Sequence, residues 1–207
     1  MNNILKRIFD IAAATMGLIA LSPLLLYLVV RIKRGSPGPI FYRGVRVGRK
    51  GKTFRIFKFR TMVVDAEKIG GPSTSDDDPR VTGAGKVMRD YKLDELPQLL
   101  NVLKGEMSII GPRPEVPSEV ETYSEREKRI FEVRPGITDW ASLEFHNEGE
   151  ILKGAADPHA AYREKIKPEK IKLALKYVDE QNMMTDMKIL FKTLGTLIKT
   201  RTNGESA

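Results

Sequence analysis

Twenty residues near the amino terminus, from Ile11 to Val30, are almost wholly apolar, and they constrain where the rest of the chain can lie. As one straight helix this stretch would measure about 30 Å, which is the thickness of the hydrocarbon core of a bilayer. A buried helix of a soluble protein is the alternative interpretation. A cleaved signal peptide fits less well, because basic residues follow the apolar run directly without a small-x-small cleavage site. The stretch therefore predicts a membrane segment.

The middle of this segment carries a helix-breaking pair, Ser22 and Pro23. Proline removes one helical hydrogen bond, so a bend is expected here, and the Ser22 hydroxyl can bond a carbonyl that the bend frees. Basic residues flank both ends of the segment: Lys6, Arg7, Arg31, Lys33 and Arg34. Positive charge prefers the cytoplasmic side, and a straight span would carry one of the two clusters across. We therefore predict that residues 1–34 form a re-entrant helix broken at Ser22-Pro23, in a monotopic protein whose remaining part faces the cytoplasm.

The overall charge and the amino-acid composition limit the classes of partner and cofactor that the chain could bind. The 207 residues carry a formal charge of +8, which indicates an anionic partner: nucleic acid, an anionic membrane face or a phosphorylated substrate. The chain contains no cysteine, which excludes disulfides and thiolate chemistry, and its two histidines are too few for a histidine-rich metal site. The metal that remains is an oxygen-liganded ion such as Mg²⁺.

After the membrane segment the pattern changes from helix to strand. Residues 40–47 and 53–59 mix apolar and basic side chains, and the GRKG sequence between them reads as a hairpin turn. The apolar phase slips between Ile56 and Phe57, which predicts a bulge there. Because helical patterns dominate elsewhere, we predict an α+β fold: a mostly helical membrane-associated domain with a small β-hairpin.

Two adjacent carboxylates, Asp94 and Glu95, stand out further along the chain. A helix is predicted over residues 93–104, ending at Gly105, and its dipole would favour ionised acids in the first turn. Arg113 follows between two prolines, in a segment with little conformational freedom to lose. An anchored guanidinium facing a carboxylate pair suits a site that binds a phosphate and attacks it, although acids in a first turn can also be ordinary helix caps.

Three sequence blocks resemble, in order, the bacterial sugar transferases, the small monotopic phosphoglycosyl transferases. They are KFRTM at 58–62, LDELPQLLNVLKGEMSIIGPRPE at 93–115 and RPGIT at 134–138. The resemblance implies a re-entrant anchor in the bacterial inner membrane. It also implies an enzyme that moves a sugar-1-phosphate from a uridine diphosphate (UDP) sugar to a polyprenyl phosphate such as undecaprenyl phosphate, releasing UMP and starting a glycoconjugate. The chain departs from the usual family pattern at Lys92, Asp139 and Ser142.

The same resemblance implies roles for charged residues of these blocks. Asp94 would attack the phosphorus nearest the sugar and carry it as an aspartyl–phosphosugar. Glu95 would either handle the proton of the lipid phosphate or join Asp94 in binding Mg²⁺, and both roles stay open. Four basic residues would contact phosphate groups: Lys58, Arg60, Arg89 and Arg113. For Lys58 and Arg60, which stand two apart, a solvated strand face is the alternative.

The C-terminal part is predicted to be helical. One helix covers residues 170–180, and Thr185-Asp186 caps another that continues to about Lys199. The last helix carries an apolar stripe: Leu190, Phe191, Leu194, Leu197 and Ile198. This stripe can pack on the core or lie in the lipid interface, and the sequence leaves both open. Trp140 is likewise either a core residue or an interfacial anchor.

The predicted domain organisation is simple. Residues 35–200 form one catalytic domain, residues 201–207 form a disordered tail, and the polar stretch 70–80 is a mobile loop. An oligomer is compatible with the sequence. The rival function is a membrane-tethered basic protein that binds nucleic acid or anionic lipid without catalysis. It leaves the carboxylate pair without a role, and little aromatic–basic interleaving supports base stacking, so no nucleic-acid partner is expected.

Overall fold

A computed structural model describes residues 3–69, 78–155 and 157–203, so the loop predicted over 70–80 lies outside it except for its last three residues. The helices are α1 (Asn3–Gly35), α2 (Ala66–Ile69), α3 (Gly83–Asp90), α4 (Gln98–Lys104), α5 (Pro117–Val120), α6 (Trp140–Glu144), α7 (Glu148–Ile151), α8 (Pro158–Ala161), α9 (Lys167–Glu180) and α10 (Met183–Asn203). The strands are β1 (Phe41–Tyr42), β2 (Val45–Val47), β3 (Thr53–Arg55), β4 (Lys58–Phe59), β5 (Ser108–Ile110) and β6 (Gly136–Thr138). This mostly helical architecture with small two-stranded sheets confirms the α+β prediction.

The first helix passes through the Ser22-Pro23 pair without interruption, which corrects the prediction that it is broken there. Pro23 has no N–H for the carbonyl of Ile19, four residues earlier, and the Ser22 hydroxyl donates to that carbonyl at 2.8 Å. The freed carbonyl is therefore satisfied in the way the sequence indicated, and the helix continues. Its re-entrant path in a membrane stays a prediction.

Polar contacts tie the N-terminal half of α1 to the rest of the protein. Lys6 is buried and pairs with Asp186 of α10 at 2.7 Å. One turn further, Asp10 accepts hydrogen bonds from the hydroxyl of Ser108 and the amide of Ile109 in β5, at 2.9 and 3.0 Å. Two buried charged side chains thus fix this half of the helix against β5 and α10.

The C-terminal half of α1 is held by apolar contacts instead. Leu28 and Ile32 are buried in a cluster with Phe59 and Met88. Away from these contacts α1 exposes apolar side chains: Ile4, Leu5, Ile8, Ile11, Met16, Ile19, Leu26, Tyr27 and Val30. By length and composition this helix could cross a membrane.

The strands after α1 form the predicted hairpin, with its turn at residues 48–51. The Cα partners keep one register before and after Ile56 and Phe57: Val45 with Arg55, and Tyr42 with Lys58. The predicted bulge is therefore wrong. Phe57 stands out of the apolar phase because the Arg43 guanidinium covers its ring, 3.4 Å from the centroid.

The parallel strands β5 and β6 pack in the hydrophobic core. The segment that follows β5 contains Arg113. Just after β5, Gly111 touches Gly136 so closely that a Cβ on Gly136 would lie 2.1 Å from the amide nitrogen of Gly111. The next residues are Pro112 and Arg113, and the Arg113 amide donates to Asp139 at 3.3 Å. A close backbone contact therefore positions the Arg113 segment.

The carboxylate pair lies just before a helix rather than in its first turn. Leu93–Glu95 forms a 3-10 turn, and α4 begins at Gln98, so the predicted start at residue 93 is too early. The end is as predicted, because Gly105 closes the helix in a left-handed conformation with φ of 82°.

The last helix differs from its prediction at both ends. α10 begins at Met183, and Asn182 caps it by accepting from the amide of Thr185 at 2.8 Å. Asp186, predicted as part of the cap, is instead buried between Lys6 and the hydroxyl of Tyr177. The helix continues to Asn203, so residues 201–203 of the predicted tail are helical, and 204–207 lie outside the described residues.

Candidate active site

A cavity of about 480 Å³ opens beside the 93–95 turn, and most of the residues that line it are polar or charged. Its basic residues are Arg46, Lys58, Arg89, Lys92, Arg113 and Lys170. Its acidic residues are Asp90, Asp94, Glu95, Glu115, Glu119 and Glu148. The structure thus brings together five of the residues predicted for the site: Lys58, Arg89, Asp94, Glu95 and Arg113.

Asp94 and Glu95 are both buried in the cavity wall and share one ammonium group. Lys58 Nζ lies 3.0 Å from Asp94 Oδ2 and 3.1 Å from Glu95 Oε1. Arg113 binds Glu95 through two nitrogens, with Nη1 donating to Oε2 at 3.1 Å and Nη2 donating to Oε1. Lys58 comes from β4 and Arg113 from the segment after β5, so two short strands deliver cations to the turn that carries the acids.

The two carboxylates differ in how fully they are engaged. Both oxygens of Glu95 have partners, whereas within the described part of the chain Oδ1 of Asp94 has none. Burial opposes ionisation of Glu95, but the charges of Arg113 and Lys58 prevail and hold its pKa well below the usual range. The Glu95 carboxylate in turn holds the pKa of Arg113 above its usual value. Glu95 therefore stays ionised, and Asp94 is the acid with an oxygen available to a substrate.

Arg89 and Arg60 occupy different places, although both were predicted to contact phosphate. Arg89 lines the cavity, and its Nε donates to the hydroxyl of Thr61 at 3.1 Å. Arg60 does not line it. Its guanidinium donates instead to three carbonyls of the turn after α1, those of Ser36, Pro37 and Pro39, at 2.7 to 3.0 Å. This placement corrects the Arg60 prediction: the side chain holds the turn that leaves α1.

The far wall of the cavity was missed from the sequence. It is built from acids and their partners: Glu115, Glu119, Glu148, His159, Tyr162 and Lys170. The hydroxyl of Tyr162 donates to Glu115 at 3.1 Å, and Lys170 pairs with Glu148. His146 lines the cavity as well. Tyr162 opens a π-helical turn, a structural feature that is often found at functional sites.

Glu119 and Glu115 have opposite environments in this wall. Glu119 is buried with Arg163 at 2.6 Å and Lys167 at 2.5 Å. Burial opposes its ionisation, but these hydrogen bonds prevail and lower its pKa. For Glu115, burial is the largest effect and raises the pKa of the carboxyl. The wall therefore holds one firmly ionised acid and one that ionises reluctantly.

The carboxylates of the cavity are candidate ligands for Mg²⁺. In residues 3–69, 78–155 and 157–203, no group of three acidic or histidine side chains is arranged around a common ion position. Asp94 and Glu95 nevertheless offer the carboxylate oxygens that Mg²⁺ prefers, and this ion commonly uses one or two carboxylates and completes its shell with water and substrate phosphates. The residues present therefore fit a phosphate-dependent Mg²⁺ site rather than a self-sufficient one.

Comparison with known proteins gives a consistent match. Residues 1–200 match the family model described as bacterial sugar transferase. The chain is 39% identical over 198 residues to the UDP-N-acetylgalactosamine-undecaprenyl-phosphate N-acetylgalactosaminephosphotransferase of Aeromonas hydrophila, covering 94% of this chain and 44% of that protein. It is 37% identical over 198 residues to the UDP-glucose:undecaprenyl-phosphate glucose-1-phosphate transferase of Escherichia coli, covering 93% of this chain and 40% of that protein.

A relative of similar length also matches. The exopolysaccharide production protein PSS of Rhizobium leguminosarum bv. phaseoli is 35% identical over 216 residues, which cover 99% of each chain. The present chain thus spans less than half of the first two relatives and nearly all of the third.

Proposed function

The chain belongs to the bacterial sugar transferase family, and from this premise we propose that it is a phosphoglycosyl transferase acting at a membrane surface. It would transfer a sugar-1-phosphate from a UDP-sugar to undecaprenyl phosphate or a related polyprenyl phosphate and release UMP. The names of two relatives specify different sugars but share undecaprenyl phosphate, and the proposal adopts the part they share. The observation that carries it is the buried Asp94-Glu95 pair in a cavity that also holds Lys58, Arg89 and Arg113.

The first step of the proposed reaction uses the free oxygen of Asp94. This oxygen attacks the phosphorus nearest the sugar, the bond from that phosphorus to the bridging oxygen breaks, and UMP leaves with the electron pair. The product is an aspartyl–phosphosugar, an acyl phosphate on Asp94. In the second step an oxygen of the polyprenyl phosphate attacks the same phosphorus and displaces the Asp94 carboxylate. Two displacements at one phosphorus predict ping-pong kinetics.

Glu95 has a supporting role in this proposal. Its bidentate pair with Arg113 and its contact with Lys58 hold both cations beside Asp94, where negative charge accumulates during transfer. A carboxylate whose pKa is held so low is a poor proton acceptor, which favours orientation of cations over general-base catalysis. With the diphosphate oxygens, Asp94 and Glu95 would hold Mg²⁺, which would neutralise phosphate charge so that an anionic nucleophile can approach.

The far wall of the cavity is the proposed binding site for the sugar. Sugar hydroxyls are matched by acceptors and donors in fixed positions, and Glu115, Glu119, Glu148 and Tyr162 provide them there. Because Glu119 and Tyr162 are held by partners from the protein itself, their positions are set before a substrate arrives. The basic residues Lys58, Arg89 and Lys92 of the same cavity would hold the diphosphate.

The packing of α1 supports a monotopic arrangement. Its first turns bind α10 through Lys6 and Asp186, and its last turns pack on Phe59 and Met88, so both ends contact the same domain. A helix that crossed the bilayer would carry one end away from that domain. We therefore propose that α1 lies in the membrane with both ends on the cytoplasmic side, and that its exposed apolar face contacts lipid.

An assay without the lipid acceptor tests the chemistry. We expect the purified protein and a UDP-sugar labelled in the sugar to release about one UMP per protein molecule and to retain the label on Asp94. Adding polyprenyl phosphate should convert this burst into turnover. Release of UMP only when both substrates are present, with no labelled protein, would replace the two-step mechanism by direct transfer. No UMP release from any UDP-sugar would support the rival binding protein.

The absence of native cysteine allows a direct test of topology. Single cysteines placed at residue 2 and at residue 206 should react with a membrane-impermeant reagent from the same side of oriented vesicles. A control cysteine at position 172, on an exposed face of α9, marks the side of the catalytic domain. Labelling of the two ends from opposite sides would refute the monotopic arrangement.

A further inference from the structure

A second cavity, of about 430 Å³, lies between α6, α9 and α10, away from the carboxylate pair. Trp140, the single tryptophan of the chain, forms one wall. The ammonium groups of three lysines approach its ring: Lys176 at 5.8 Å, Lys188 at 5.7 Å and Lys192 at 5.4 Å from the centroid. We name these four residues the Trp140 cage: Trp140, Lys176 and Lys192 line the cavity, and Lys188 approaches the same ring from outside the cavity lining. Leu143 and Leu173 add apolar surface beside it.

The lysines of the Trp140 cage lack counter-charges. Among the described residues, none of the three ammonium groups lies within 4.0 Å of a carboxylate. Glu144 lines the same cavity but forms no ion pair with any of them. Converging cations that the fold leaves uncompensated repel one another, and an anion bound among them removes that repulsion.

The position of α10 places the Trp140 cage close to the membrane helix. Asp186 of α10 is paired with Lys6 of α1, and Lys188 and Lys192 follow two and six residues later. At the rise of an α-helix these lysines lie roughly 3 and 9 Å further along the axis. The same stretch of α10 exposes Phe191 by 68% and Leu194 by 47%, so apolar and cationic side chains alternate on its surface. Such a combination suits the boundary between lipid headgroups and acyl chains.

We propose that the Trp140 cage binds the phosphate of an anionic phospholipid headgroup, at a site separate from the catalytic cavity. The three lysines would surround the phosphate, while Trp140, Leu143 and Leu173 would contact the upper part of the acyl chains. The proposal rests on the membrane association given under the proposed function. It assigns the outward apolar residues of α10 to the lipid interface rather than to the core.

Trp140 is a built-in reporter for this site, because all tryptophan fluorescence of the chain comes from it. The full-length protein would be placed in phosphatidylcholine nanodiscs containing increasing fractions of phosphatidylglycerol. We expect the emission to change with a saturable dependence on the anionic lipid. Removal of one charge in Lys188→Gln should raise the fraction for half-maximal change about fivefold, and K176Q/K188Q/K192Q should abolish saturation.

The matched control removes three exposed lysines that do not contact Trp140, in the variant K128Q/K165Q/K172Q. It should respond as the unmodified protein does, and an equal loss of response in this control would reduce the effect to net charge and overturn the proposal. No change of emission with anionic lipid would overturn it as well. A response of the detergent-solubilised protein to inorganic phosphate, abolished in K176Q/K188Q/K192Q, would assign the cage to a soluble phosphate instead of a lipid.

The proposed function is tested separately in the same samples. UMP release in nanodiscs of pure phosphatidylcholine depends on the catalytic cavity and not on the cage. Continued UMP release without a tryptophan response would refute the cage alone, whereas a tryptophan response without UMP release would refute only the proposed reaction.

Discussion

The cavity beside Asp94 and Glu95, where we propose catalysis, and the Trp140 cage are both rich in cations, but they differ in how those charges are compensated. In the catalytic cavity Lys58 and Arg113 are held by Glu95, and Glu119 is held by Arg163 and Lys167. In the cage three ammonium groups face one aromatic ring. Paired charges have fixed positions before a ligand binds, so they can orient a reaction. Unpaired cations gain most when an anion arrives, so they suit binding.

The largest effect is expected when the proposed nucleophile, Asp94, is removed. Asp94→Asn keeps the size of the side chain and its place beside Lys58, but an amide oxygen cannot displace UMP. UMP release should fall by at least about a thousandfold, and no labelled protein should form. The measurement is the burst assay with a UDP-sugar labelled in the sugar.

The matched control for this variant is Asp65→Asn, because Asp65 is an exposed residue in a left-handed conformation that asparagine also accepts. It should retain full activity. A labelled adduct on the Asp94→Asn protein would show that another residue is the nucleophile.

A smaller effect, on the free energy of unfolding, is expected when one partner of a buried ion pair is removed. Glu119→Gln removes the buried carboxylate that binds Lys167 and the half-exposed Arg163, which should lower the free energy of unfolding by about 2 kcal/mol at pH 7. Because the folded pKa of Glu119 is lowered, its contribution is present above the unfolded pKa of about 4.3 and is lost as the pH falls through the folded pKa. Urea unfolding at pH 7 and at pH 4 would show the difference shrinking in acid.

A variant in the Trp140 cage provides the comparison with Glu119→Gln. Lys176→Gln removes a cation that has no carboxylate partner, so the free energy of unfolding should change by less than about 0.5 kcal/mol. Equal destabilisation by the two variants would show that the cage is compensated after all.

An effect of opposite sign, a gain of stability, is expected at Glu115. Burial raises the pKa of this carboxyl, so the folded state holds its proton to higher pH than the unfolded state does. Stability should therefore fall as the pH rises from the unfolded value, about 4.3, through the raised folded value. Glu115→Gln should stabilise the protein by about 1 kcal/mol at pH 8, with no difference near pH 4.

Thermal unfolding across this pH range measures the gain, and Glu121→Gln, at an exposed glutamate, is the matched control. A destabilising effect of Glu115→Gln at pH 8 would show that the ionised carboxylate is required in the wall.

Local patterns predicted the parts of the fold that depend on local chemistry. Turn residues marked the hairpin at 48–51, Gly105 marked the end of α4, and the adjacent acids marked the cavity. The same patterns failed where a distant partner decides. The sequence pattern predicts that Asp186 is part of a helix cap, but Asp186 is buried because it pairs with Lys6, which is 180 residues away in the sequence.

Arg60 shows the same limit for a functional residue. Alternation along a strand placed it beside Lys58, but the strand ends at Phe59. The turn after α1 contains Pro37 and Pro39, which have no N–H, so the turn offers few backbone donors for its own carbonyls. The guanidinium of Arg60 donates hydrogen bonds to these carbonyls, and no sequence pattern near Arg60 predicts this role. The cavity wall with Glu115 and Tyr162 was missed for a similar reason, since these two residues are 47 positions apart in the sequence.

Asp10 gives α1 a fixed rotational setting. The Asp10 side chain is 1% exposed and accepts hydrogen bonds from Ser108 and Ile109 of β5. In the proposed membrane arrangement, rotating the helix by half a turn would place this carboxylate in hydrocarbon at a cost on the order of several kcal/mol. β5 leads within three residues to Arg113. In the proposed membrane arrangement, this contact sets which face of α1 meets the lipid, and it couples that orientation to the segment that contains Arg113.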